Sequence, residues 1–187
     1  SVVYVDASSG SVTINLPTTA TGSGLVYTIC KVGTSSNTVV VDAFGSETLD
    51  GATTITLSGN SGNSVLKIIA DPPLGRWHVL TLYEEGTFTG TLTGCTTSPT
   101  TTIDWTRTGS VVVLEVNSLT GTSNTTAATI TGIPAGLAAG GASYRTNSVY
   151  DNSAYVHGQI YIGPGDTFLT LGVGATLGAF TSSGSKG

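Results

Sequence analysis

Acids that lie close together are the first place to look for chemistry. Asp42, Glu47 and Asp50 fall within one short stretch, and cleavage of a glycosidic bond needs two carboxyl groups about 5 to 10 Å apart across a cleft. Glu47 and Asp50, however, belong to SETLDGA, where Asp50-Gly51 is a turn signal. The spacing therefore predicts a tight turn. Glu84-Glu85, with Gly86 behind it, reads as a solvated linker. A hydrolytic triad needs Ser, His and a carboxylate within mutual reach. The two histidines are His78, which alternates with Trp77 and Val79 on a strand face in RWHVLTLY, and His157, which stands among tyrosines in YVHGQIYI. A nucleophile-elbow motif is absent. So is an HxH or HExxH spacing, and no metal site or cofactor is expected. Gly22-Ser23-Gly24 and Gly172-Val173-Gly174 lack the strand–loop–helix context of a phosphate cradle.

The aromatic residues carry more information. Tyr144, Tyr150, Tyr155 and Tyr161 cluster in a region rich in Asn, Ser and Asp. A flat ring with one hydroxyl suits sugar stacking and interface contact. Arg145 and Asp151 are candidates for polar contacts beside them, and His157 for a ligand-facing group. Receptor contact is one reading of this region. Ordinary packing, within a chain or between protomers, is the other. Trp77 reads as core by its apolar neighbours, and Trp105, alternating with Ile103, reads as core before ligand platform.

The elements that must position these residues are strands. No window places apolar residues at i, i+3, i+4 and i+7 among helix formers. The Ala-rich piece Ile133–Ala142 is broken by Pro134 and Gly, so it is expected to be a loop with at most one helical turn. The pivotal stretch is Gly86 to Val116, with strands expected at Thr87–Leu92, Thr101–Arg107 and Ser110–Val116 and a hairpin at Thr108-Gly109. Before it come Val2–Asp6, Ser11–Leu16, Leu25–Lys31, Thr38–Ala43, Thr53–Leu57, Ser64–Ala70 and Arg76–Tyr83. Ser64–Ala70 is the most apolar of these and is expected at the centre of its sheet. After it come Ala127–Ile133, Ser148–Tyr150, Tyr155–Ile162, Thr167–Leu171 and a piece around Phe180. This spacing predicts an all-β chain of two consecutive antiparallel β-sandwich domains, jelly-roll-like, at 1–83 and 84–187, joined at Glu84-Glu85-Gly86.

Composition narrows the classes. Charged residues are only 9% of the 187, against roughly 25% in ordinary soluble chains. Thr, Ser and Gly must carry the surface instead, as in extracellular or particle-bound β proteins. Low charge also leaves strand edges poorly protected, so burial of edges in an oligomer is favoured. The net charge is −5 and the six basic residues are scattered, which argues against nucleic-acid binding. Apolar runs fall well short of the ~20 residues of a membrane span. Cys30 and Cys95 are too few for a disulfide scaffold; free thiols are the simpler reading, and a Cys30–Cys95 bridge is the other. With no Met and an abrupt start in a strand, the chain reads as a fragment or processed piece.

Two ordered sets of residues carry a resemblance. The segment from SVTINLP through LVYTICK, NTVVVDA and SETLDGA to VLKIIADPPLGRWHVL is similar to a β module of phage fibre and baseplate-associated proteins. The segment from GTFTGTLTGC through TTTIDWTRTGSVVVLEV to AATITGIPAGL resembles a module found near the distal ends of such fibres. The chain thus resembles structural proteins of tailed bacteriophages. That resemblance implies a virion-surface or extracellular location and a homotrimer alongside other virion proteins. It also implies non-catalytic attachment to a host-cell glycan or surface protein, with Tyr144, Arg145, Tyr150, Asp151, Tyr155 and His157 as the receptor-binding candidates. A capsid decoration or head-fibre protein is the alternative. A bacterial adhesin and a polysaccharide depolymerase fragment are weaker ones. FTSSGSKG resembles a stretch that leads into one more strand, whereas here the sequence stops, so the second module is expected to lack its final strand.

Overall fold

The structure, a computed structural model, describes residues 1–22 and 24–187; Ser23, within the Gly22-Ser23-Gly24 piece, lies outside them. The chain is all-β. Its described residues form two compact units, Ser1–Thr87 with Trp105–Leu114, and Phe88–Asp104 with Glu115–Gly187.

The first unit is built from β1 (Val2–Asp6), β2 (Val12–Asn15), β3 (Val26–Val32), β4 (Val39–Asp42), β5 (Thr48–Leu49), β6 (Thr54–Leu57) and β7 (Ser64–Asp71). Parts of β8 (Arg76–Leu92), β9 (Thr100–Thr108) and β10 (Val111–Val116) complete it. One sheet runs β1-β3-β7-β8, with β9 beside β8 and β10 beside β9; the other runs β2-β4-β6. β7 lies inside its sheet, as its apolar sequence predicts. Period-two alternation puts one face of each strand inward. Val5, Ile29, Leu66, Ile68 and Trp77 from the first sheet and Val39, Val41 and Leu57 from the second form one core. Each buried aliphatic side chain of this kind contributes about 1.5–3 kcal/mol. Trp77 is fully buried with its ring 5.5 Å from that of Tyr27.

The sheets are mixed, where purely antiparallel ones were expected. β1 pairs β3, β2 pairs β4 and β5 pairs β8 in parallel. Connectivity explains the first two pairs: the chain visits the opposite sheet between β1 and β3, and again between β2 and β4. A strand reached by two successive crossings runs in the direction of the first, and parallel pairing requires such a crossover.

β8 is one strand of 17 residues where two strands and a linker were expected. Leu80 forms a bulge in it, between Lys67↔Thr81 and Ile68↔Val79. Glu84 is not solvated. It is fully buried, and its carboxylate accepts from the backbone N–H of Ser58 (2.5 Å) and Gly59 (3.2 Å) and from Arg107 Nη1 (3.3 Å). Lys31 is buried as well and donates to the carbonyls of Gly59 (2.6 Å) and Ser35 (3.1 Å). Burial lowers the Lys31 pKa, and the nearby Glu84 charge opposes that shift. A buried charge must be paired and hydrogen-bonded, and the Gly59 turn meets both side chains.

The second unit adds β11 (Gly121–Thr122), β12 (Ala128–Thr131), β13 (Ser143–Asp151), β14 (Ala154–Ile162), β15 (Phe168–Val173) and β16 (Ser185–Lys186). Its sheet order is β8-β12-β15-β14-β13-β16-β11, and each of these pairings is antiparallel. Leu92, Ala128, Ile130, Val149, Leu169 and Leu171 are buried. The Ala-rich loop contains a single short helical turn, Ala135–Leu137. Phe180 is buried but lies in no strand, where one was expected; the short strand Ser185–Lys186 pairs β11 and β13. Lys186 is buried, donates to the carbonyls of Thr125 (2.8 Å) and Ala127 (2.6 Å), and has its ammonium 5.7 Å from the Phe180 ring centroid. Cys30 and Cys95 are both free thiols.

Candidate functional site

The tyrosine cluster resolves into one hairpin. β13 and β14 are joined by Asn152-Ser153, both at positive φ (46° and 65°). That backbone belongs to the two-residue turn whose twist matches paired strands, and Asn adopts it readily. Counting outward from the turn, Asp151 pairs Ala154, Tyr150 pairs Tyr155, Ser148 pairs His157, Thr146 pairs Gln159 and Tyr144 pairs Tyr161. Residues directly opposite share a face, and alternate residues along a strand share it too.

One face of the hairpin therefore reads Tyr–Tyr, Thr–Gln, Ser–His, Tyr–Tyr. The Tyr144 and Tyr161 ring centroids are 4.7 Å apart and tilted by 37°. Those of Tyr150 and Tyr155 are 5.1 Å apart, edge to face at 66°. Such pairs hold each other's rotamers and contribute about 0.5–1.5 kcal/mol beyond area burial. Tyr155 is 81% exposed and Tyr144 57% exposed, so half of each pair faces solvent. Six residues of extended chain separate Tyr144 from Tyr150, about 20 Å at ~3.4 Å per residue. The band between them offers hydroxyl, amide and imidazole groups.

Arg145 and Asp151 do not join this face. Period two turns them to the other side, with Val149 and Gly158. Asp151 is occupied there, accepting from Thr181 Oγ1 (2.7 Å) and the Thr181 backbone N–H (3.0 Å). Gly158 is buried, and a Cβ on it would lie 2.5 Å from Val149 Cγ2 and 2.7 Å from the Gly172 carbonyl oxygen. This close approach seats the hairpin on β15. Thr146 was missed because β13 was expected to begin only at Ser148; Ser148 and Gln159 lay in expected strands, but without the hairpin register they were not set beside the tyrosines. Pairing counted back from the Asn152-Ser153 turn is the signal that finds them.

The acidic stretch in the first unit acts in turns. Glu47 accepts from Thr18 Oγ1 (2.7 Å) and the Thr19 backbone N–H (2.9 Å), tying down the turn at Thr19–Thr21. Asp50, at φ 47°, accepts from the Val79 backbone N–H (3.0 Å) and contacts His78 Nδ1 (3.1 Å). The other ring nitrogen of His78 lies 2.9 Å from Asp71 Oδ2. His78 thus bridges two turns. Among the described residues, no group of three or more His, Cys, Asp or Glu side chains is arranged to hold a metal ion.

The hairpin face can stack and hydrogen-bond a ligand through neutral groups, with His157 its one ionisable side chain apart from the tyrosines. No protein-family model, curated protein or solved structure matches this chain.

Proposed function

We propose that the chain is a structural attachment module of a tailed-phage virion, of the tail-fibre or receptor-binding kind, and that it works by contact without catalysis. The observation that carries this reading is the hairpin face with its two tyrosine pairs, rigid rings flanking a band of neutral polar groups. Exposed rings fixed by a neighbouring ring lose little freedom on binding, which favours stacking on a sugar or an interface residue. The low charge of the chain and the ordered segments similar to phage fibre modules agree with a particle-bound β protein. Several copies on one particle would raise a weak contact to firm adsorption through effective concentration.

The test is adsorption of particles, or of a multimerised fluorescent form of the chain, to host cells. Replacing Tyr144 and Tyr155 together by Ala removes the two exposed rings and leaves the sheet intact. A loss of about tenfold or more is expected, the size of an interface hot spot. Unchanged adsorption would remove the hairpin from the receptor contact.

A further inference from the structure

β1 is an edge strand: among the described residues its ladder partner is β3 alone. Its hydrogen bonds to β3 fix which of its groups face outward. The Ser1 amine donates to the Val26 carbonyl and the Thr28 N–H donates to the Ser1 carbonyl. In a parallel ladder alternate residues make these bonds, so Val3 and Val5 follow Ser1 toward β3. Val2, Tyr4 and Asp6 turn their N–H and C=O groups away from it. The same three side chains lie on the outer face of the sheet, where Val2 is 58% and Tyr4 73% exposed. Natural edges of this kind are blunted by Lys, Pro, a bulge or a covering loop. VVYVD has no Lys or Pro, and its register against β3 runs without a shift.

We infer that two copies of this chain join through antiparallel pairing of their β1 edges about a two-fold axis at Tyr4. The strand is self-complementary in that register. Tyr4 meets Tyr4 of the second copy, and Val2 meets Asp6 in both directions. Every outward residue then faces an outward residue, and each such pair exchanges both of its backbone hydrogen bonds. The two sheets become one, and the Tyr4 rings stack across the axis on the outer face. Charge selects the same arrangement. Antiparallel pairing sets each Asp6 carboxylate opposite a Val2 and four residues along the ladder from the other Asp6, whereas parallel pairing would set the two carboxylates side by side. Asp6 is held ionised at its place, because hydrogen bonds from the Ser8 hydroxyl and backbone N–H lower its pKa. An isologous contact of this kind is the commonest route to a soluble homo-oligomer. It does not depend on the attachment role proposed above, and it gives a dimer where the resemblance to fibre modules implies a trimer.

The test is the mass of the full chain in solution, by sedimentation and light scattering from micromolar to sub-millimolar concentration. A dimer is expected. Tyr4→Lys places two ammonium groups face to face on the axis and should halve the mass. Tyr4 is mostly exposed, so the circular dichroism of that variant should match the parent, and its melting temperature should no longer rise with protein concentration. In a Cys30→Ser background, Tyr4→Cys should be captured as a covalent dimer by a short thiol–thiol cross-linker, the Cα atoms of such a pair being about 5.5 Å apart. Thr81→Cys, on the same face but away from the axis, should not. A monomer throughout the range, or a dimer or trimer indifferent to Tyr4→Lys, would overturn the inference.

Discussion

The Glu84 carboxylate, without any solvent exposure, lies 3.3 Å from Arg107 Nη1, and the two residues come from strands β8 and β9 of the first unit. The pair is what lets an acid sit inside that unit. Removing one partner strands the other. Arg107→Met is expected to destabilise the protein by about 3 kcal/mol, the cost of leaving a buried charge without its counter-ion. Urea unfolding measures it, and a loss below ~1 kcal/mol would mean that the nearby Lys31 charge and the Ser58 and Gly59 N–H groups suffice to hold the carboxylate.

Acid should loosen the first unit through Glu47. Burial works to raise its pKa, but hydrogen bonds from the Thr18 hydroxyl and from the Thr19 N–H and hydroxyl outweigh burial and hold it below its ordinary 4.5. The unfolded carboxyl therefore binds its proton at higher pH than the folded one. The stabilisation is complete above about 4.5 and is lost as the pH falls through the lowered folded value. Glu47→Gln should lower the melting temperature at neutral pH, and the gap from the parent should close on acidification. A gap independent of pH would show that the charge of Glu47 is immaterial.

Gly158 should tolerate no side chain. The Cβ of Gly158→Ala would press on Val149 and the Gly172 carbonyl oxygen. Overpacking of this kind costs about 1–3 kcal/mol. Hydrogen exchange would locate the loss, with faster exchange on β13 and β14 and little change on β3 or β7.

The two thiols should differ in reactivity. Cys30 is half-buried, whereas Cys95 is 5% exposed and burial pushes its pKa up against the opposing charge of Lys186. A thiolate is the reacting species, so a neutral alkylating reagent should add once to the native protein, at Cys30. The second adduct should require denaturant and no reductant. Mass spectrometry of the native reaction decides it; simultaneous addition at both sites would contradict the burial of Cys95.

Much of the strand pattern was legible because β-branched runs and turn residues act locally. SETLDGA reads as a turn, and Asp50 does take up the left-handed backbone there. Trp77 and Trp105 read as core, and both are buried. What was not legible depended on distant partners. Glu84 looks like a solvated acid until Arg107, 23 residues on, is brought beside it. Parallel pairing of β1 with β3 cannot be inferred from two strands that read alike. At the hairpin the difficulty was one of register. Sequence proximity put Arg145 and Asp151 with the tyrosines, but alternation sends them to the other face and brings Thr146 and Gln159 in.

The route of the backbone between the units has a consequence for how this polypeptide can be made and divided. Ser1–Thr87 is completed only by Trp105–Leu114, a hairpin supplied after an excursion through Phe88–Asp104. A ribosome must therefore emit more than half of the chain before the N-terminal unit has all its parts. No single proteolytic nick or cloning boundary can release either unit whole. A fragment ending near residue 87 would carry Glu84 without Arg107, and it should emerge from expression as a partly folded species.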